Sequence, residues 1–214
     1  MSTATTAFQR RSKRPNTSYR VGKRVFDVTA CLLAAPLVLP LVLLCAIAVR
    51  LDSPGPVFFS QRRTGRHNQR FAMWKFRTMC KDAEAMKASL QHLNILPPPD
   101  FKVPNDPRIT RVGRFLRATS LDELPQLWNV VVGDMSLVGP RPTSFGSETW
   151  DLWHTARLEV RPGLTGLWQV TGRGVMTFDE RLRLDIAYLR SMSFRNDLRI
   201  LFRTVTVVLN RSGV

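Results

Sequence analysis

Between Val28 and Val49 the chain reads VTACLLAAPLVLPLVLLCAIAV, with no charged residue. As a straight helix this stretch would be about 33 Å long, enough to cross the hydrocarbon core of a bilayer. A buried core helix of the same composition would have to be apolar on every side. A secretory signal is the other alternative, and AIA at 46–48 resembles a cleavage site. The run, however, is longer than the usual signal core of about 7–15 residues. The segment is therefore read as entering a membrane.

Charge argues against a crossing. Arg10, Arg11, Lys13, Arg14, Arg20, Lys23 and Arg24 precede the run, and Arg50, Arg62, Arg63, Arg66 and Arg70 follow it. Cytoplasmic flanks are the basic ones, and here both flanks qualify. Pro36 and Pro40 lie near the middle, and each lacks an N–H and bends a helix. The pattern predicts a re-entrant hairpin with both ends on one face; a kinked spanning helix is the alternative.

The rest of the chain is basic as well. Lys and Arg number 32 against 16 acids, a formal charge of +16. Such an excess predicts an anionic partner: nucleic acid, lipid headgroups or substrate phosphates. The three cysteines form no CxxC pair, and the three histidines show no metal-site spacing. After the breaker DSPGP come two strand-like runs, VFFSQRR and RFAMWKFRTM, joined by TGRHNQ. Helical patterns follow at 81–94, 109–117, 121–132 and 147–158, interrupted by the proline-rich ILPPPDFKVPNDP. From about 177 two amphipathic helices are expected. Leu182, Ile186 and Leu189 form the stripe of one; Leu198, Leu201, Val205 and Val208 form that of the other. Either helix can pack on a core or lie among headgroups.

One acidic pair, Asp122-Glu123, stands in this basic chain with Arg108, Arg111, Arg114 and Arg117 before it and Arg141 after it. Ser120 and Glu123 fit a capping box, with Pro125 marking a helix start. The same geometry suits chemistry. A carboxylate at a helix N-terminus stays ionised, and an ionised aspartate can attack phosphorus. Attack of an anion on an anion needs cations for screening. At this stretch both readings stand.

The motifs then carry a resemblance. KRVFD, SPGPVFFSQRRTG, WKFRTM, DPRITRVGRFLRATSLDELPQLWNVVVGDMSLVGPRP, RPGLTGLWQVTGR, LDIAYL and DLRILFRTV run from about residue 22 to 210. Together they resemble the bacterial sugar transferases of the monotopic phosphoglycosyl transferase superfamily, in a short form without a multi-span N-terminal region.

The resemblance implies an α+β, mostly helical fold. It implies a membrane-associated monotopic domain with a re-entrant helix-break-helix and amphipathic interfacial helices. Residues 1–20 would be a basic tail, 21–50 the hairpin, and 51–214 the cytoplasmic catalytic domain. The activity implied is transfer of sugar-1-phosphate from a UDP-sugar to polyprenyl (undecaprenyl) phosphate, releasing UMP. This is a first membrane step in exopolysaccharide, capsule or O-antigen synthesis.

By resemblance Asp122 is the nucleophile that forms an aspartyl-phosphosugar intermediate, and Glu123 completes the dyad. Both would hold Mg²⁺. Lys75, Arg117, Arg141 and Arg173 match substrate-binding cations, with Asp185 and Gln169 in a second tier. The implied location is the cytoplasmic face of a bacterial inner membrane, among anionic lipids, with a homodimer compatible.

Two departures stand out: Ala35-Pro36 where the family break carries a Ser-Pro-like pair, and Gly-Arg-Gly at 172–174 where many members have Gly-Arg-Asn. A nucleic-acid-binding protein would explain the charge but neither the uncharged run nor the acidic pair. A membrane-anchored regulator without turnover would not need Asp122, Glu123 and Arg141 intact.

Overall fold

A computed structural model describes residues 16–96, 100–144, 152–171 and 176–210. Its first element is helix α1, Thr17–Asp52, which carries Pro36 and Pro40 inside it. Asn16 caps it, its side chain accepting from Ser18 N–H. The helix-break-helix expected here is one helical element, unbroken at Ala35-Pro36. It also begins before residue 21, within the stretch read as tail; residues 1–15 lie outside the described ones.

The helix is long and apolar enough to cross a membrane, and only 11% of its most apolar window is buried. A core helix of a soluble protein would be mostly buried, and this one is not. Leu32, Leu33, Leu37, Leu39, Leu43 and Leu44 are all more than half exposed. The flanks of the run behave differently. Cys31 packs with Phe71, Met73, Val130 and Met135, whereas Cys45 and Val49 pack with Phe76 and Leu116. Both flanks of the apolar run thus rest on the same globular body.

That body starts with a hairpin, β1 (Phe58–Thr64) and β2 (Arg70–Phe76), antiparallel with Phe58 opposite Phe76 and Thr64 opposite Arg70. The turn between them places His67 and Asn68 at positive φ. Strand alternation sets Lys75 on the same face as buried Phe71 and Met73. The helix expected over 81–94 is absent. Two short 3-10 turns, Ala85–Lys87 and Gln91–Leu93, stand there instead. A buried ion pair, Arg108 with Asp106 at 2.7 Å, organises this region, and Arg108 Nη1 also donates to the Ala83 carbonyl.

Helix α2 (Arg111–Ala118) is capped by Thr110, which accepts from Gly113 N–H. Asp52, at the end of α1, accepts from Val112 N–H at 3.1 Å and so ties the apolar helix to α2. Helix α3 (Gln126–Val132) ends at Gly133, whose φ of 100° closes the turn. Asn129, on α3, accepts from Trp74 N–H and donates to the Ala72 carbonyl, clamping α3 to β2.

A parallel pair that the sequence reading did not anticipate, β3 (Ser136–Val138) with β4 (Gly163–Thr165), supports the following elements. Between them a 3-10 segment covers Leu152–Glu159, while residues 147–151 of the helix expected there lie outside the described ones. Helices α4 (Leu167–Thr171), α5 (Phe178–Arg190) and α6 (Phe194–Leu209) complete the chain.

The two closing helices divide the roles left open. On α5, Leu182 and Leu189 are buried, so this helix packs. On α6, Leu198, Phe202, Val205 and Leu209 form an exposed apolar stripe at helical spacing. Asp197 is buried on α6 and accepts from Tyr19 and Lys23 of α1 and from Tyr188 of α5. The α6 stripe is thereby fixed relative to the apolar helix.

Candidate active site

The acidic pair sits on a tight turn between α2 and α3. Ser120 adopts φ 58°, and Leu121–Glu123 form a single 3-10 turn. Leu121 and Leu124 pack against the cluster of Phe76 and Leu116, which fixes the turn to β2. The expected capping box is not formed, because Ser120 in the left-handed region makes no side-chain cap bond and Pro125 takes the N-cap position of α3. A capping box does occur at Thr177 and Glu180, at the start of α5.

Glu123 spends its carboxylate on two cations. Lys75 Nζ lies 2.7 Å from its Oε1. Arg141 grips it with both terminal nitrogens, one to Oε1 and one to Oε2 at 3.2 Å. Burial opposes the charge of Glu123, yet Arg141 and then Lys75 outweigh it and hold the carboxyl well below the usual range.

Asp122 is different. Its side chain is 11% exposed, and among the described residues Lys75 at 3.8 Å is its only ion-pair contact and no hydrogen bond reaches it. Burial pushes its carboxyl up, with Glu123 adding to the effect and Lys75 opposing it. The expectation of a carboxylate lowered by helix N–H groups is thus corrected: the turn donates none to it. Two adjacent acids have opposite environments. One is a locked anion; the other is a buried, unclaimed carboxylate.

The remaining expected cations divide. Arg117 extends from the last turn of α2, its Nε donating to Thr78 Oγ1 at 2.8 Å, and burial lowers its guanidinium in spite of Asp122. Arg173 and the departing Gly-Arg-Gly lie outside the described residues. Gln169 donates to the Leu164 carbonyl and is not brought to the acidic pair.

Asp185, from α5, lies 2.8 Å from Arg157, and the terminal nitrogen of Arg157 donates to the main-chain carbonyl of Arg141. This second-tier aspartate therefore acts through Arg157 on the arginine that grips Glu123. Arg157 and Arg63 were missed by the sequence reading. Both line a cavity with Arg141, Trp168, Phe178 and Asp185, and the QRRTG motif was the one signal for Arg63.

Among the described residues no group of three or more His, Cys, Asp or Glu side chains gathers as a metal cage. Two neighbouring carboxylates, one of them unclaimed, do fit a hard cation of the Mg²⁺ type. Such an ion takes one or two carboxylates and fills its shell with water and substrate phosphate.

Comparison with known sequences shows the family of the chain. The profile of the family described as bacterial sugar transferase matches residues 18–211. A Salmonella typhimurium protein named undecaprenyl-phosphate galactose phosphotransferase is 44% identical over 201 residues, covering 92% of this chain and 42% of that protein. The Caulobacter vibrioides UDP-glucose:undecaprenyl-phosphate glucose-1-phosphate transferase is 43% identical over 205 residues, covering 91% and 72%. The exopolysaccharide production protein ExoY of Rhizobium meliloti is 41% identical over 202 residues, covering 90% and 88%. The chain spans less than half the length of several of the curated relatives it matches, 42% of the Salmonella protein among them.

Proposed function

We propose that this chain, which belongs to the bacterial sugar transferase family, moves a hexose-1-phosphate from a UDP-sugar to undecaprenyl phosphate. The observation that carries the reading is the unequal acidic pair: Glu123 bound by Lys75 and Arg141, Asp122 buried and unclaimed beside them.

In the first half-reaction an oxygen of Asp122 attacks the phosphorus that bears the sugar. The bond from that phosphorus to the bridging oxygen breaks, and UMP departs with the oxygen. In the second, an oxygen of undecaprenyl phosphate attacks the same phosphorus and frees the Asp122 carboxylate. Lys75, held by Glu123 within 4 Å of Asp122, meets the negative charge of the incoming phosphate. Arg141, held by Glu123 and by the Arg157 contact to its carbonyl, presents a planar fork to phosphate oxygens. Mg²⁺ held by Asp122 and Glu123 would supply further charge screening. The relatives named for galactose and glucose support a UDP-hexose donor, and ExoY supports a role in exopolysaccharide synthesis.

The membrane arrangement follows from α1. Both flanks of its apolar run contact one body while its leucines face outward. A helix so held would dip into the cytoplasmic leaflet with both ends of the run on the side of that body, any bend falling at Pro36 and Pro40, and the exposed stripe of α6 would face the same surface. The acidic turn is then carried at the headgroup plane, where the lipid phosphate is.

The test is turnover by the full chain in nanodiscs with Mg²⁺, undecaprenyl phosphate, and either UDP-galactose or UDP-glucose. UMP and a lipid-linked sugar diphosphate are expected from one of the donors, and neither from Asp122→Asn. Absence of lipid-linked product from every UDP-sugar tried would overturn the reading.

A further inference from the structure

We infer that Arg63 is a binding residue for the donor, contacting a phosphate oxygen of its diphosphate beside Arg141; this rests on the reading of the preceding section. The chain itself brings the two arginines together. Arg63 is the penultimate residue of β1, and the next residue, Thr64, donates its N–H to the Thr143 carbonyl at 2.9 Å. The end of the hairpin is thereby stitched to the Arg141-Pro142-Thr143 segment, and both guanidinium groups line one cavity.

Four described arginines line that cavity, and three have carboxylate partners. Arg141 has Glu123, Arg157 has Asp185 at 2.8 Å, and Arg181 has Asp100. Arg63 has none among the described residues. Its Nη2 donates to the neutral Gln61 carboxamide at 2.5 Å, and its Nε is buried without a partner. Burial, and then repulsion from Arg141, push this guanidinium down to about 10.

A half-buried cation with a neutral partner and a buried Nε donor left unused among the described residues is costly unless an anion completes it. Two arginines lining one cavity, with the Glu123 carboxylate beside Arg141 already shared with Lys75, leave positive charge at the cavity. A diphosphate offers several acceptor oxygens and suits paired arginine forks better than a single carboxylate does. The acceptor lipid also carries phosphate, and the experiment separates the two.

The full chain in nanodiscs is compared with Arg63→Gln and Arg63→Lys, each checked for an unchanged thermal midpoint. Equilibrium binding of UDP and of inorganic pyrophosphate is measured, together with KM for the UDP-sugar and for undecaprenyl phosphate. Arg63→Gln weakens both probes by about tenfold, as expected for one lost charge-assisted bond. It raises KM for the donor and leaves KM for the lipid unchanged, while Arg63→Lys restores part of the binding. Unchanged UDP affinity in Arg63→Gln overturns the inference, as does a rise in KM confined to the lipid. If the wild type binds pyrophosphate through Arg63 but does not bind UDP, the anion site stands and the nucleotide donor falls.

Discussion

The buried pair of Arg157 and Asp185 tests how the site is supported. The two side chains are 6% and 2% exposed and 2.8 Å apart, so solvent screens them little. Burial pushes Asp185 up to about 6 even with Arg157 beside it, and burial lowers Arg157 even with Asp185 beside it. Each partner is thus shifted toward its neutral form, and loss of hydration outweighs mutual attraction. A carboxyl moved from near 4 to about 6 favours its protonated folded form by about 3 kcal/mol.

The sign follows from linkage. The folded state holds this proton more tightly than the unfolded chain. The contribution is therefore fully present below the ordinary aspartate range near pH 4, and is lost as pH rises through about 6. Asp185→Asn removes that titration, so its stability should fall less than that of the wild type between pH 5 and pH 8. The double variant Arg157→Met/Asp185→Leu removes both charges. It is expected to match the wild type or exceed it by about 1–4 kcal/mol at pH 8. Both variants raise KM for the donor, because the Arg157 contact to the Arg141 carbonyl is loosened in one and absent in the other. Thermal unfolding in nanodiscs at pH 5 and pH 8, with initial rates, measures both effects. A double variant clearly less stable than the wild type at pH 8 would refute the reasoning, and so would an Asp185→Asn protein that loses as much stability as the wild type between pH 5 and pH 8.

Three further outcomes are expected. Because burial raises Asp122 and Glu123 adds to it, UMP release in rapid-mixing experiments should climb with pH along a limb above the ordinary aspartate range. Glu123→Gln should move that limb to lower pH, and an upward move would contradict the assignment. Gly113→Ala would place a Cβ 2.2 Å from the Thr78 carbonyl oxygen; forcing α2 away from the backbone that follows β2 should lower stability by about 1–3 kcal/mol. An unchanged unfolding midpoint would show that α2 tolerates the shift. Thr5→Cys should resist a membrane-impermeant thiol reagent in intact cells, with the wild type as the blank, whereas strong labelling would place the N-terminus outside and sink the re-entrant arrangement.

What the sequence disclosed depended on how local the controlling interaction was. The hairpin was legible because β-rich runs flank a polar turn: the strand Arg70–Phe76 falls within its run, and Phe58–Thr64 extends one residue past its own, into the expected turn. The helices after 109 and after 177 were legible from apolar spacing. The stretch at 81–94 misled, since good helix formers there yield to the Arg108–Asp106 pair and its bond to Ala83, made from twenty-five residues away. Ser120 and Glu123 matched a cap by spacing, but Glu123 is drawn away by Lys75 and Arg141, which no local rule foresees. β3 and β4 are three residues each and pair across a long connection, too short to announce themselves. Arg157 lay hidden among many arginines, because its meaning comes only from Asp185 and the Arg141 carbonyl.

The central claim is that Asp122 becomes covalently bonded to phosphorus. The most direct measurement is the intact mass of the purified chain after exposure to Mg²⁺ and UDP-galactose or UDP-glucose without lipid. The account predicts a gain equal to one hexose phosphate with an equivalent of UMP, lost in Asp122→Asn and discharged by undecaprenyl phosphate. Lipid-dependent turnover with no adduct from the donor it uses would contradict it, and would mean direct transfer with a different task for Asp122.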